Sequence, residues 1–157
     1  MPIADRIRDL RGKSGRTERE LADTLGLTVE GYCDLERYDD ELESTISIAQ
    51  AVTLARLLGR EISDIVWESA GPQAVRMSAI RAGMSEQLGR SPGAREELED
   101  LIDWDLGPFL EGADQWMTVY TLDFVKRLST AIGLSYGDVL AGLSDPTEAT
   151  RSIPAAS

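Results

Sequence analysis

Apolar residues recur along this chain every three or four positions, and glycines or small polar residues interrupt the runs, so the pattern predicts short amphipathic helices throughout. Ile3, Ile7 and Leu10 give a first helix that ends near Gly12, with Ser14 and Gly15 supplying a turn. Thr17 can cap a second helix whose first turn holds Glu18 and Glu20, where carboxylates meet the positive end of the helix dipole. Its apolar stripe is Leu21, Ala22 and Leu25. Gly26 stands where a left-handed residue closes that helix, Leu27 points inward, and Thr28 caps a third helix that presents Tyr32 and Leu35. The following RYDDELEST reads as a loop, too charged to pack. Ile46, Ile48, Ala51, Val52, Ala55 and Leu58 resume the helical stripe and Gly59 stops it. Ser63 then caps a short closing helix carrying Ile65, Val66 and Trp67. Five helices within residues 1–68 are enough for one small core.

Beyond a linker at residues 69–77, the pattern repeats in outline over 78–143. Ile80, Met84 and Leu88 open it, AREELEDLI from Ala94 stands for TERELADTL, and Leu98 takes the place of Leu21. TLDFVKRLSTAIGLSYGDVL matches TISIAQAVTLARLLGREISDIV: Gly59, Asp64, Ile65 and Val66 recur as Gly133, Asp138, Val139 and Leu140, each displaced by 74 residues. The bland alternative is that any two amphipathic helices ending in Gly look alike. Where the repeat should carry its third helix, Gly107 and Pro108 interrupt, and Pro108 would break or restart it. Trp104, Phe109, Trp116 and Tyr120 cluster in this half, which suits either an ordinary core or a surface that pairs two chains as a homodimer. Residues 144–157 read as a disordered tail. The expected architecture is therefore all-α, two small helical bundles in tandem.

Composition narrows the chemistry. There is no histidine, and the single cysteine, Cys33, can form no internal disulfide, so a histidine-dependent triad is excluded and neither a zinc site nor any other cofactor is expected. No apolar run approaches membrane-spanning length and the charged MPIADRIRDLRG is no secretion signal, so a cytoplasmic protein without membrane partners is expected. The net charge of −12 is unevenly spread. Residues 1–16 set five basic side chains against Asp5 and Asp9, whereas residues 17–45 set ten acidic ones against Arg19 and Arg37. The basic segment can touch phosphates, or it is a solvated helix face paired with its acidic neighbours.

The stretch RTERELADTLGLTVEGYCDLER, two short helices about a Gly turn, resembles the Cro and phage-repressor class of helix-turn-helix domains over about residues 3–66. Ile7, Leu10 and Arg11 match the family's opening helix, Ala22 its small-residue position and Gly26 its turn. The resemblance implies a lambda-repressor-like fold for each bundle, and an ion pair between Arg11 and Glu36. It also implies a recognition-helix surface of Thr28, Val29, Glu30, Gly31, Asp34 and Arg37, with phosphate contacts from Arg8, Lys13, Arg16, Thr17 and Arg19. The chain departs from the family at the reading positions: Val29, Glu30 and Asp34 offer no hydrogen-bond donor, and the usual Arg, Gln and Asn partners of purines are absent. Glu18 replaces the glutamine that usually opens the first motif helix, and Asp39, Asp40, Glu41 and Glu43 replace an often basic loop.

Two functions follow as expectations. Glu18, Asp39, Asp40, Glu41 and Glu43 form an acidic face that suits a basic protein partner, as in an antitoxin, immunity or anti-repressor protein. Alternatively, the chain is a sequence-specific DNA-binding regulator. Catalysis is not expected, because no nucleophile, base or phosphate loop accompanies the carboxylates.

Overall fold

The structure, a computed structural model, describes residues 1–66, 75–111 and 116–143. Trp67, most of the expected linker and the expected tail lie outside these residues. All regular structure among the described residues is helical. The first half contains α1 (Ile3–Ser14), α2 (Glu18–Leu25), α3 (Val29–Leu35), α4 (Glu41–Ser44), α5 (Ile48–Leu57) and α6 (Ile62–Val66). The second contains α7 (Met77–Arg90), α8 (Ala94–Ile102), α9 (Gly107–Leu110), α10 (Trp116–Val119), α11 (Leu122–Ala131) and α12 (Tyr136–Leu143).

The caps around the central turn form as the sequence indicates. Thr17 Oγ1 accepts a hydrogen bond from Glu20 N at 3.1 Å and Thr28 Oγ1 accepts one from Gly31 N at 2.9 Å, each satisfying an orphan amide of a first turn. Gly26 takes φ 73°, a left-handed conformation that other residues adopt at a steric cost, and Leu27 N then reaches back to Ala22 O at 2.8 Å.

Three sequence expectations are corrected. Helix α1 runs through Gly12 to Ser14 and ends at left-handed Gly15. Ser63 is not a cap: α6 starts at Ile62, Ser63 is buried within it, and Asp64 Oδ2 accepts from Glu61 N ahead of the helix. The charged segment after Glu36 does pack, because Leu42 and Glu43 are one residue apart in α4 and both turn inward. In addition, Ser47 and Gln50 form a reciprocal capping box that opens α5, a legible S-x-x-Q signal.

Four helix–helix contacts recur in both halves. In each, the fifth helix packs on the second and sixth, the first on the sixth, and the third on the fourth. Two bonds closing α5 recur at the end of α11: Gly59 N to Arg56 O and Arg60 N to Ala55 O reappear 74 residues later as Gly133 N to Thr130 O and Leu134 N to Ser129 O. The halves do not hold separate cores, however. One cluster of buried side chains runs from Ile7 through Leu54 and Ile65 to Trp116, Phe124 and Leu140, with α10 against α5, α4 against α11 and α6 against α12. The linker expected to reach residue 77 stops earlier: Val75 N is bonded to Asp138 O, and fully buried Met77 starts α7.

Candidate recognition surface

Arg11 and Glu36 fix α3 to α1. Arg11 Nε donates to both carboxylate oxygens of Glu36, at 3.0 and 2.8 Å, with Glu36 buried and Arg11 about one-fifth exposed. The hydrogen bond to Glu36 holds the guanidinium pKa above its ordinary value. Arg11 Nη2 also lies 3.4 Å from Glu18 Oε1, and Arg8 Nη2 donates to Glu36 O at 2.6 Å, neutralising the carbonyl end of α3. Tyr32 is buried beside this group, and burial together with the Glu36 charge pushes its phenol upward.

The outer surface of α3 differs in character from this inner one. Thr28, Val29 and Glu30 are exposed at its start, Gly31 is half-buried, and Asp34 pairs with exposed Arg37 at 3.4 Å. Tyr38, Asp39 and Asp40 continue the exposed strip, and Glu41 is half-buried. Lys13, Arg16 and Arg19 are exposed to one side, with Lys13 bonded to Asp9 at 3.0 Å.

Three members of the expected acidic face have structural partners. Glu18 turns between helices, where Cys33 Sγ donates to its Oε2 at 2.7 Å, and that bond pushes the thiol pKa up. Asp39 Oδ1 accepts from Ala4 N at 3.1 Å, satisfying an amide at the start of α1. Glu43 is removed from the face altogether. It is buried, accepts from Tyr136 Oη at 2.7 Å and lies 3.9 Å from Lys126 Nζ, so it joins the two halves.

The described residues of the second half present a different arrangement at the corresponding place. Helix α9 is four residues long with Pro108 in its first turn and Phe109 buried, and its principal neighbours are α7 and α10, whereas α3 lies along α2. Arg81 on α7 holds it there: Nε donates to Phe109 O at 2.6 Å, and the guanidinium stands 5.1 Å from the Phe109 ring centre and 5.8 Å from that of Trp116. The position 74 residues earlier is Ile7, a core side chain. Local groups close the α8–α9 turn. Glu99 Oε2 accepts from Leu106 N, Asp105 Oδ1 from Gly107 N, and Tyr120 Oη donates to Asp105 O while accepting from Phe109 N. Phe109, Trp116 and Tyr120 are core, and Trp104 is half-buried with its ring edge-on to Tyr120 and Phe124.

Sequence reading missed a groove of about 610 Å³ on this half, lined by Leu101, Asp123, Lys126, Arg127, Thr130 and Ala131. The exposure of Leu101, which stands on the outer side of α8, was not legible because the residue also fits the helical stripe. Among the described residues no group of acidic or cysteine side chains is arranged to hold a metal ion, and no helix is long and apolar enough to cross a membrane. No protein-family model matches the chain, and neither a curated protein nor a solved structure matches it significantly.

Proposed function

We propose that the chain is a regulatory helix-turn-helix protein of the Cro and repressor kind that acts by docking a basic protein on the outer surface of α3 and the strip leading to α4. The observation that carries this reading is the charge of the exposed strip. Glu30, Asp39 and Asp40 are solvent-facing, and the basic side chain within it, Arg37, is turned to Asp34. A phosphate approaching this surface meets several carboxylates, each repelling it by about 1 kcal/mol at close range in water, whereas a basic protein surface is attracted and steered. Residue roles rest on the site, since a fold shared with DNA-binding domains does not fix the ligand.

The DNA-binding reading has its own support in the exposed Lys13, Arg16 and Arg19 beside α2, which suit phosphates. Pairing of two chains through the second half is not included in the proposal, because α10, α11 and α12 pack on the first half of their own chain.

Pull-down from native cell extract, with and without nuclease, separates the readings. The expected result is a basic protein retained after nuclease treatment and lost with the Glu30→Lys, Asp40→Lys variant, which leaves the Asp39 bond to Ala4 N in place and instead gains affinity for generic duplex DNA with a steeper salt dependence. Nanomolar binding of the unchanged chain to a defined promoter fragment at about 150 mM salt, an affinity ordinary for specific regulators, would overturn it.

A further inference from the structure

Exchange of the two halves maps their mutual contacts onto themselves. Counting helices within each half, the fourth helix of the first meets the fifth of the second (α4 on α11), the fourth of the second meets the fifth of the first (α10 on α5), and the two sixth helices meet each other (α6 on α12). That reciprocity defines an isologous interface, in which the same patch on each partner faces its counterpart across a twofold axis, the commonest arrangement of a homodimer. Helix starts support the same pairing: α1 and α7, α5 and α11, and α6 and α12 each begin 74 residues apart. Inside the halves the correspondence fails chiefly at the third helix, where α9 has left α8 for α7.

We infer that the second half is a built-in dimer partner: it occupies within one chain the α4–α6 surface on which a second copy would otherwise pack. The protein is therefore a monomer, and of the two turn-helix units that a symmetric pair would offer, only α2–α3 is displayed. The interface suits permanent closure. It is apolar, with Leu42, Ile46, Ile62, Ile65, Trp116, Tyr120 and Leu140 all buried. Two hydrogen bonds also cross it, Ile48 N donating to Tyr120 O at 2.9 Å and Tyr136 Oη to Glu43. The inference does not depend on whether α3 meets protein or DNA.

Two measurements on the full chain test it. Sedimentation equilibrium from about 5 to 500 μM, spanning the range in which weak homodimers form, should return the chain mass of 17.2 kDa throughout; a concentration-dependent rise toward twice that mass overturns the inference. In a Cys33→Ser background, Glu43→Cys with Lys126→Cys places one thiol on α4 and one on α11, and a short bismaleimide should join them within a single chain, leaving the denatured mass monomeric. A second pair, Ser44→Cys with Lys126→Cys, uses the neighbour of Glu43, keeps the Glu43–Tyr136 bond and should behave alike. Links formed only between chains, or no link in either pair, would overturn it.

Discussion

The Arg11–Glu36 pair has a consequence for stability that an exposed pair would not. Glu36 has its carboxylate buried and bonded at both oxygens by one guanidinium, so removal of its charge leaves Arg11 partly uncompensated, while the Arg8 bond to the Glu36 backbone carbonyl is kept. Because Arg11 retains some exposure, Glu36→Gln should cost about 2 to 4 kcal/mol, at or below the range for fully buried pairs. For a chain of this size that lowers the melting temperature by about 5 to 10 °C, whereas Lys13→Ala, which breaks an exposed pair with Asp9, should move it little. Three buried tyrosines set an alkaline limit. Burial raises the phenols of Tyr32, Tyr120 and Tyr136, and nearby carboxylates add to the effect. A raised native pKa makes their contribution complete below the ordinary phenol value near 10 and progressively lost above it, since the unfolded chain releases those protons first. Ultraviolet titration should therefore show these three ionising together with loss of helical circular dichroism above about pH 10.

At the scale of elements, Gly142 in α12 is required by packing. A Cβ there would fall on the Val75 carbonyl, which is backbone and cannot turn aside, next to the Val75–Asp138 hydrogen bond that brings the chain into α7. Gly142→Ala should destabilise the protein by about 2 kcal/mol or more, within the usual cost of overpacking, although the same change in an exposed helix would stabilise. Denaturant melts of the variant check this. The position of α9 depends on a different contact. Arg81→Leu keeps apolar bulk under Phe109 and Trp116 but removes the donor to Phe109 O and the cation over the rings. The expected result is faster amide exchange in residues 105–111 with α1–α6 unchanged.

For the whole molecule, one continuous core implies one unfolding event. In a Trp67→Phe background, Trp104 and Trp116 report on the second half, and far-ultraviolet dichroism reports on all helices. The two probes should give coincident denaturant curves with a single midpoint, as expected of a cooperative domain of this length. Two transitions would mean that each half is stable alone, which the shared burial of α4–α6 and α10–α12 argues against.

Periodicity and local chemistry determined the all-helical class, the Thr17 and Thr28 caps, the turn at Gly26 and the weakness of the third helix in the second half, because each depends on residues within a few positions of one another. The Arg11–Glu36 contact was legible only through the family resemblance, which supplied a partner 25 residues away. Tertiary structure alone decided the fate of the acidic loop. Asp39, Asp40 and Glu43 look equivalent in sequence, yet burial on the α11–α12 surface selects Glu43 and leaves Asp40 in water. It also decided that two similar halves share one core: their apolar stripes are just as compatible with two separate bundles, and only the complementarity of α4–α6 with α10–α12, summed over long-range contacts that no local pattern encodes, chooses between them.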